Sequence, residues 1–365
     1  MDGIAPVMSA LGWHVQIVND ADAEDAAREA IGFWKPVGII AGAGEGTQGV
    51  TPAVAGGVPT VHFDCDPAAV WSGVGVNLDD SAVAAAALRE LRDCGFSDFA
   101  YVPSAEAIHW SVFRGALFRD MAEAGGAGAC GVFPSVPDEP PLVRRARLGA
   151  WLRGLPAKCG LFAANDFTAE EVLVAARMEE IAVPSRLAVV GVDDNPDICL
   201  STVPTLTSVA VDYKAGGRKV AELLADMIAH PRRRNRRERV LYGAPSVVRR
   251  ASTTLLRRRD PRVGRALDFI RRNAASGLSV DDVAAAMGCS RRLAELRFRE
   301  STGRSVLAAV NDEIFSQAQA LLAAGELRAG EVADRFSLSP DTLRRMFIAR
   351  TGKPPRRWRG VRCAK

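Results

Sequence analysis

"CSRRLAELRFRESTG", residues 289–303, crowds four arginines into nine positions around Phe298 and ends on a Thr-Gly pair. Alone, such a stretch fits a solvated helix face as well as a helix that lies against a polyanion. A second stretch, "LSPDTLRRMFIARTG" (338–352), decides between them by repeating the pattern. Ser290 to Phe298 and Ser339 to Phe347 are each eight residues, and Ser290 to Gly303 and Ser339 to Gly352 are each thirteen, with the copies 49 residues apart. Upstream, "VDDVAAAMG" (280–288) aligns with "AGEVADRFS" (329–337). Each copy predicts a short helix, a tight turn and a longer helix.

Local chemistry supports that division. Ser279 and Asp282 have capping-box spacing, and Gly288 supplies the positive φ that a helix-to-helix turn needs. Ser290 and Ser339 are N-caps, with Pro340 at the first helical position, where its missing N–H costs nothing. Val283, Ala284 and Met287 share one face, as do Val332, Ala333 and Phe336. Between the copies, residues 305–324 carry apolar side chains at 306, 310, 314, 318 and 321, which predicts one connecting helix.

In a helix-turn-helix the second helix presents its N-terminal turns to the major groove. The exposed faces here are Arg292, Glu295, Leu296 and Arg299, and then Asp341, Arg344, Arg345 and Ile348. Arginine pairs with guanine and Glu accepts from cytosine, while Arg291 and Arg297 suit phosphates. With Ser290, Ser339 and Thr342 at the helix starts, these residues, Ile348 aside, are the candidate DNA contacts. Charge agrees: residues 253–365 hold 23 Lys and Arg against 12 Asp and Glu, a net of +11, and residues 1–252 hold 24 against 31, a net of −7. A basic third on an acidic body points to a polyanion partner for that third.

Residues 262–360 resemble the AraC-type DNA-binding domain, two helix-turn-helix units (280–300 and 329–350) joined by a long helix. "TGKPPRRWR" (351–359) is similar to that family's closing signature. The resemblance implies that both recognition helices enter successive major-groove segments about 34 Å apart. It also implies departures: Ala294 where a large apolar residue is usual, Leu296 at an often polar position, Ser337 for the turn glycine, and Ile314 for a basic residue.

Residues 1–252 alternate short apolar runs with helical segments. "HVQIV" (14–18), "VGIIA" (37–41), "TVHF" (60–63), "FAYV" (99–102), "CGLFAAN" (159–165) and "LAVVGVDD" (187–194) read as strands, with helices at 81–94, 112–124, 168–180 and 214–229. Such alternation predicts parallel sheets with helices on both faces, whose ligands lie at the carboxyl ends of strands. Several polar residues fall there: Asn165 and Asp166 after "CGLFAA", Asp193, Asp194 and Asn195 after "LAVVGV", and Trp110 and Arg114 soon after "FAYV". Carboxylates, amides, an arginine and a flat indole suit a polyol. Any one of them alone is equally a helix cap or a surface ion pair.

The string "AVVGVDDNPDICLSTVPTLTSV" (188–209) resembles LacI/GalR-type regulators and other periplasmic-binding-protein-like sensors, and 161–194 extends the match. Such a sensor ahead of an AraC-type domain is similar to the xylose operon regulator family. By that resemblance Arg114, Asp166 and Asp193 hold a sugar, and Asp79 sits at the matching strand end of the first lobe. Trp110, Asn165 and Asn195 complete the candidate sugar set.

One departure concerns the start. The family opens on a strand, whereas this chain opens on the helical "GIAPVMSALG" (3–12). Without that strand its neighbours are expected to be unpaired. Either the natural start lies upstream, or the sensor lobe is truncated and no longer binds sugar, leaving an AraC-type DNA-binding regulator.

An enzyme is not expected. The Gly-rich "AGAGEGTQG" (41–49) matches neither GxGxxG nor GxxxxGK[ST], and reads as a βα turn. None of the four histidines is spaced for a metal, and no cofactor is implied. Seven scattered cysteines without a CxxC pair suit reduced thiols in a cytoplasm. No apolar run approaches the roughly 18 residues that would span a bilayer. "HPRRRNRRERV" (230–240) reads as an exposed loop. The expected organisation is a sensor at 1–252, a linker at 253–261 and a DNA-binding domain at 262–365. The expected partners are an operator duplex, a pentose-like sugar and a second copy in a homodimer, with RNA polymerase a further candidate and no membrane.

Overall fold

The computed structural model describes residues 1–18, 24–42, 50–66, 70–106, 108–230, 238–243, 245–254, 261–302, 304–324, 327–351 and 354–356. Most of the Gly-rich turn, the arginine run, the linker and the closing signature lie outside the described residues. The chain divides into two compact units, Met1–Asp79 with Val211–Ala244 and Asp80–Ala210 with Pro245–Lys365.

The first unit contains α1 (Ile4–Ala10), α2 (Glu24–Trp34), β1 (Ile39–Gly42), α3 (Pro52–Ala55), β2 (Thr60–Phe63), β3 (Val74–Leu78), α9 (Tyr213–Ala229) and β9 (Glu238–Tyr242). Its sheet runs β1-β2-β3-β9, and every pairing is parallel. Ile4, Met8, Val61, Val74, Val76, Val220, Leu224 and Tyr242 form the core, drawn from α1, β2, β3, α9 and β9. The strand expected at 14–18 does not form. Val15 packs against the core, but β1 is the sheet's outer strand on that side. Among the described residues no strand pairs with β1 on its outer side, so 14–18 contribute to the core through Val15 without joining the sheet.

The second unit contains α4 (Asp80–Asp93), β4 (Asp98–Val102), α5 (His109–Ala124), β5 (Cys130–Val132), α6 (Pro141–Gly154), β6 (Cys159–Ala163), α7 (Asp166–Met178), β7 (Leu187–Val192), α8 (Pro196–Cys199), β8 (Thr207–Ala210) and β10 (Ser246–Val248). The strand order is β10-β8-β7-β6-β4-β5. All pairings are parallel except β10 with β8, so this sheet is mixed where a parallel one was expected. The central strands are buried on both faces, as near-continuous apolar runs require. Ala100, Val102, Leu161, Ala163 and Val189 pack with Val172 and Leu173 of α7. The alternate residues Phe99, Tyr101 and Phe162 meet Phe118 of α5, with ring centroids 5.0–6.3 Å apart.

The same unit carries α10 (Pro261–Asn273), α11 (Val280–Met287), α12 (Arg291–Thr302), α13 (Val306–Ala324), α14 (Ala329–Arg335) and α15 (Pro340–Thr351). These helices have their own core, built on Leu267, Ile270, Val283, Met287, Phe298, Val310, Ile314, Phe336, Leu343 and Phe347. The repeat explains the equivalence of its two halves. Phe298 and Phe347, eight residues after each N-cap serine, are both 0% exposed. The capping box at Ser279 and Asp282 forms, with N···O distances of 3.2 and 2.9 Å. Gly288 turns with φ 65°, and Ser337, at the matching position, adopts φ 53°.

Candidate functional site

Three neighbouring strands, β4, β6 and β7, deliver polar residues from their carboxyl ends. Asp166 opens α7 and is 0% exposed. Its Oδ1 accepts from Ser208 Oγ at 2.6 Å. Its Oδ2 accepts from the Asn195 N–H at 2.8 Å and the Cys199 thiol at 3.3 Å. Burial pushes the Asp166 carboxyl up to about 6, although these three donors hold it down; the Asp193 charge adds to the rise. Burial, then the Asp166 charge, pushes the Cys199 thiol to about 12, so it stays protonated and donates. Gly191 makes the approach possible: a Cβ there would lie 2.2 Å from Asp166 Oδ1.

The turn after β7 is held open in an unusual backbone. Asp193 and Asp194 have φ of 108° and 54°, a conformation that costs about 1–3 kcal/mol at a non-glycine residue and clusters at functional sites. The surroundings fix it. The Asp193 N–H donates to the Val209 carbonyl at 3.0 Å, the Asp194 N–H to Ser208 Oγ at 3.0 Å, and Arg250 pairs with Asp194 at 2.8 Å.

Arg114, on the second turn of α5, is 4% exposed. Its Nε and Nη2 both reach Asp80 Oδ1 at 2.7 Å, and its Nη1 donates to the Ala164 carbonyl. The guanidinium lies 4.8 Å from the Trp110 ring centroid. Burial raises the Asp80 carboxyl above its ordinary range, with the Arg114 charge working against it.

Of the sugar candidates, Trp110 and Arg114 therefore meet directly, and Asp166 holds the Asn195 backbone. Asn165 and Asn195 act as N-caps: their Oδ1 atoms accept from Thr168 N–H at 2.9 Å and Asp197 N–H at 3.0 Å. Asp79 belongs to the first unit, where its N–H donates to the Tyr242 carbonyl at 2.9 Å. Asp80, the acid that Arg114 binds, was not singled out from the sequence. The available signal was its place in the first turn of a helix whose neighbouring positions are apolar.

On the helix-turn-helix units, Arg292, Arg299, Arg344 and Arg345 are exposed, as are Ser290, Ser339 and Asp341. Leu296 is 55% and Ile348 42% exposed, so α12 and α15 each present an aliphatic side chain. Arg291 pairs with Asp281 at 3.1 Å, at the surface. Glu295 is turned from the expected base-reading face: its Oε2 accepts from the Val306 N–H at 3.4 Å, at the start of α13. Thr342 shares a hydrogen bond of 2.8 Å with Ser339. Arg297 is half-buried.

Comparison with known proteins agrees with the fold of the sensor. Residues 88–253 match the periplasmic binding protein-like domain. The xylose operon regulatory protein of Escherichia coli (strain K12) is 30% identical over 263 residues, 71% of this chain and 66% of that protein, just under two thirds of its length. That of Haemophilus influenzae is 28% identical over 264 residues, 71% of this chain and 67% of that protein. A solved structure of a xylose-binding transcription activator covers 97% of this chain and 92% of its own, with TM-score 0.52 at 24% identity, which supports the fold.

Proposed function

We propose that this homologue of the xylose operon regulatory proteins is a sequence-specific DNA-binding transcription regulator that responds to a sugar, with a pentose such as xylose as effector. The observation that carries the reading is the union of a periplasmic-binding-protein-like sensor with a 49-residue helix-turn-helix repeat in one chain. The exposed arginines at equivalent places on α12 and α15 support contact with base edges and phosphates. The names of the relatives support xylose as the first sugar to try, and they do not favour a sensor that has lost its ligand.

In the sensor, Arg114, Asp166 and Asp193 are the proposed sugar contacts, with Trp110 covering an apolar sugar face. Arg114 is pre-oriented by Asp80 and Trp110. Asp166 already has both oxygens engaged by protein donors, so its first role is to fix the Asp193–Asn195 turn, and a sugar hydroxyl at Asp166 displaces one of those donors. The protein acts without chemistry on its ligand, in the cytoplasm, as a homodimer, with RNA polymerase the partner through which bound operator affects transcription.

The test is a thermal-melt shift of the purified chain against a panel of pentoses and hexoses, with Arg114→Ala as control. A sugar at 100 times its Kd stabilises the protein by about 2.7 kcal/mol. A shift with one pentose, lost in the variant, is expected. A cooperative melt that no sugar moves would overturn sugar sensing.

A further inference from the structure

Helix α4 joins two places that the functional reading keeps apart. Its first turn holds Asp80, the partner of Arg114. Its last turn, about 20 Å along the axis at 1.5 Å per residue, carries Glu90 and Asp93, which are 1% and 3% exposed. Their partners include side chains of the helix-turn-helix part. Asp93 accepts from Arg271 of α10 at 2.5 Å and from Arg304, just before α13. Glu90 accepts from Arg249 at 2.7 Å and lies 3.5 Å from Arg271. Arg89, beside them, donates to both carboxylate oxygens of Glu313 on α13, at 3.3 and 3.1 Å, and to Ser316.

The character of this joint matters as much as its existence. Among the described residues, every buried apolar residue in the core of the helix-turn-helix part comes from residues 263–347, and none from α4. The side-chain contacts between that part and α4 described above are ion pairs and hydrogen bonds between polar groups. Charges taken from water hold a surface together only while each keeps its partner in good geometry. Opening an ionic joint exposes little apolar area, so it can open and close where an apolar interface would stay shut. At the other end of α4, the Arg114 donors are taken by Asp80 and the Ala164 carbonyl, so a ligand oxygen arriving at Arg114 competes with Asp80 directly. Val83, Ala84, Ala87, Leu88 and Leu91 are buried along the helix, which makes α4 a stiff element between its two ends.

We propose that the Arg89–Glu90–Asp93 surface of α4 is the docking surface of the DNA-binding domain, and that an effector at Arg114 acts through α4 to change how that domain is held. This rests on the functional reading above, in which Arg114 binds the sugar. Asp80, Arg89, Glu90 and Asp93 are positioning residues: they touch neither sugar nor DNA. The joint holds the two recognition helices in one arrangement without sugar and in another with it.

The experiment uses the full chain, D-xylose and a duplex obtained by selection from random sequence. DNA affinity is measured with and without xylose for the parent, for Arg89→Glu and for the charge-reversed pair Arg89→Glu with Glu313→Arg, and xylose affinity is measured by calorimetry. A coupled parent changes its DNA affinity about 5–150-fold with sugar. The expected result is a ratio near one in R89E, which still binds xylose and DNA separately, and a ratio restored towards that of the parent in the reversed pair. Should R89E not fold, Arg89→Gln gives the same comparison with a smaller perturbation. A parent that responds to xylose and an R89E variant that keeps the full ratio would overturn the α4 relay while leaving the functional reading intact. A parent that binds xylose with no change in DNA affinity overturns the relay, and a parent that does not bind xylose overturns the functional reading beneath it.

Discussion

Replacing Arg114 with Ala isolates the energetics of the buried pair. In the parent, the guanidinium places two N–H donors on one Asp80 oxygen at 2.7 Å, a third on the Ala164 carbonyl, and its face against Trp110. Asp80 is 9% exposed. Removing one partner of a buried ion pair costs about 3–5 kcal/mol, because the other charge is left uncompensated. At about 2–4 °C per kcal/mol for a domain of this size, the melting temperature falls by about 6–20 °C. Asp80 can relieve the cost by taking a proton. Burial already raises its pKa and only Arg114 is a strong opposing influence, so in the variant the folded pKa climbs further above the unfolded one. Between those two values the folded state binds more protons than the unfolded state, so the variant loses stability as pH rises, by at most about 1.4 kcal/mol per pH unit. Urea unfolding at pH 5 and pH 8 therefore gives a larger deficit for Arg114→Ala at pH 8. Adding Asp80→Asn recovers most of the loss, since neither member then remains as a lone buried charge. If the two single losses and the double loss add within about 0.5 kcal/mol, the pair is energetically independent and the reasoning fails.

Asp166→Asn tests the second buried acid. Its carboxyl rises from 3.8 unfolded to about 6 folded, so it costs stability as pH climbs through that window, up to about 3 kcal/mol above pH 6. Relative to the parent, the Asn variant gains stability between pH 4 and pH 7; parallel stability–pH curves would contradict the assignment. Ser337→Gly relieves a left-handed backbone that a side chain disfavours, and raises unfolding free energy by up to about 1 kcal/mol. A variant no more stable than the parent would show that Ser337 is unstrained. Arg292→Ala, at an exposed place on α12, weakens specific DNA binding by about 1–3 kcal/mol, or roughly 5- to 150-fold, and an unchanged footprint and affinity would remove it from the readout.

Much of the helical domain was legible because its signals are local and occur twice. A serine cap, a turn residue with positive φ and a phenylalanine eight residues after the cap mark both units, and the second copy turned an ambiguous arginine-rich stretch into a module. The strands of the sensor were legible where apolar runs are long enough to be buried on both faces. "HVQIV" has the composition of a strand and fails as one, because pairing depends on what lies beside it in space, which periodicity does not report. The same limit hid Asp80. Asp79 and Asp80 are adjacent identical residues, and only the crossing from β3 to α4 decides which of them meets Arg114. Asn165 and Asn195 show the converse: the residue types that suit a polyol also suit a helix N-terminus, and capping is what the structure gives them.

The largest gap between sequence and structure concerns charge. The net +11 of residues 253–365 points to a polyanion, yet arginines in that segment differ in what they face. Arg271 and Arg304 are neutralised by Glu90 and Asp93 of the sensor, and Arg350 by Asp312 within the helical part, at 2.6 Å. Glu90 and Asp93 count toward the −7 and Arg271 and Arg304 toward the +11, so these pairs make both sums overstate the free charge, whereas the Arg350–Asp312 pair already cancels within the +11. What remains outward on α12 and α15 is a small set, led by Arg292, Arg299, Arg344 and Arg345. Sequence reports how many charges a segment owns. Which of them remain free to meet a polyanion depends on the fold, which pairs Arg271 and Arg304 with acids of α4; under the proposed function, those two would serve the joint with α4 and the exposed arginines the contact with DNA.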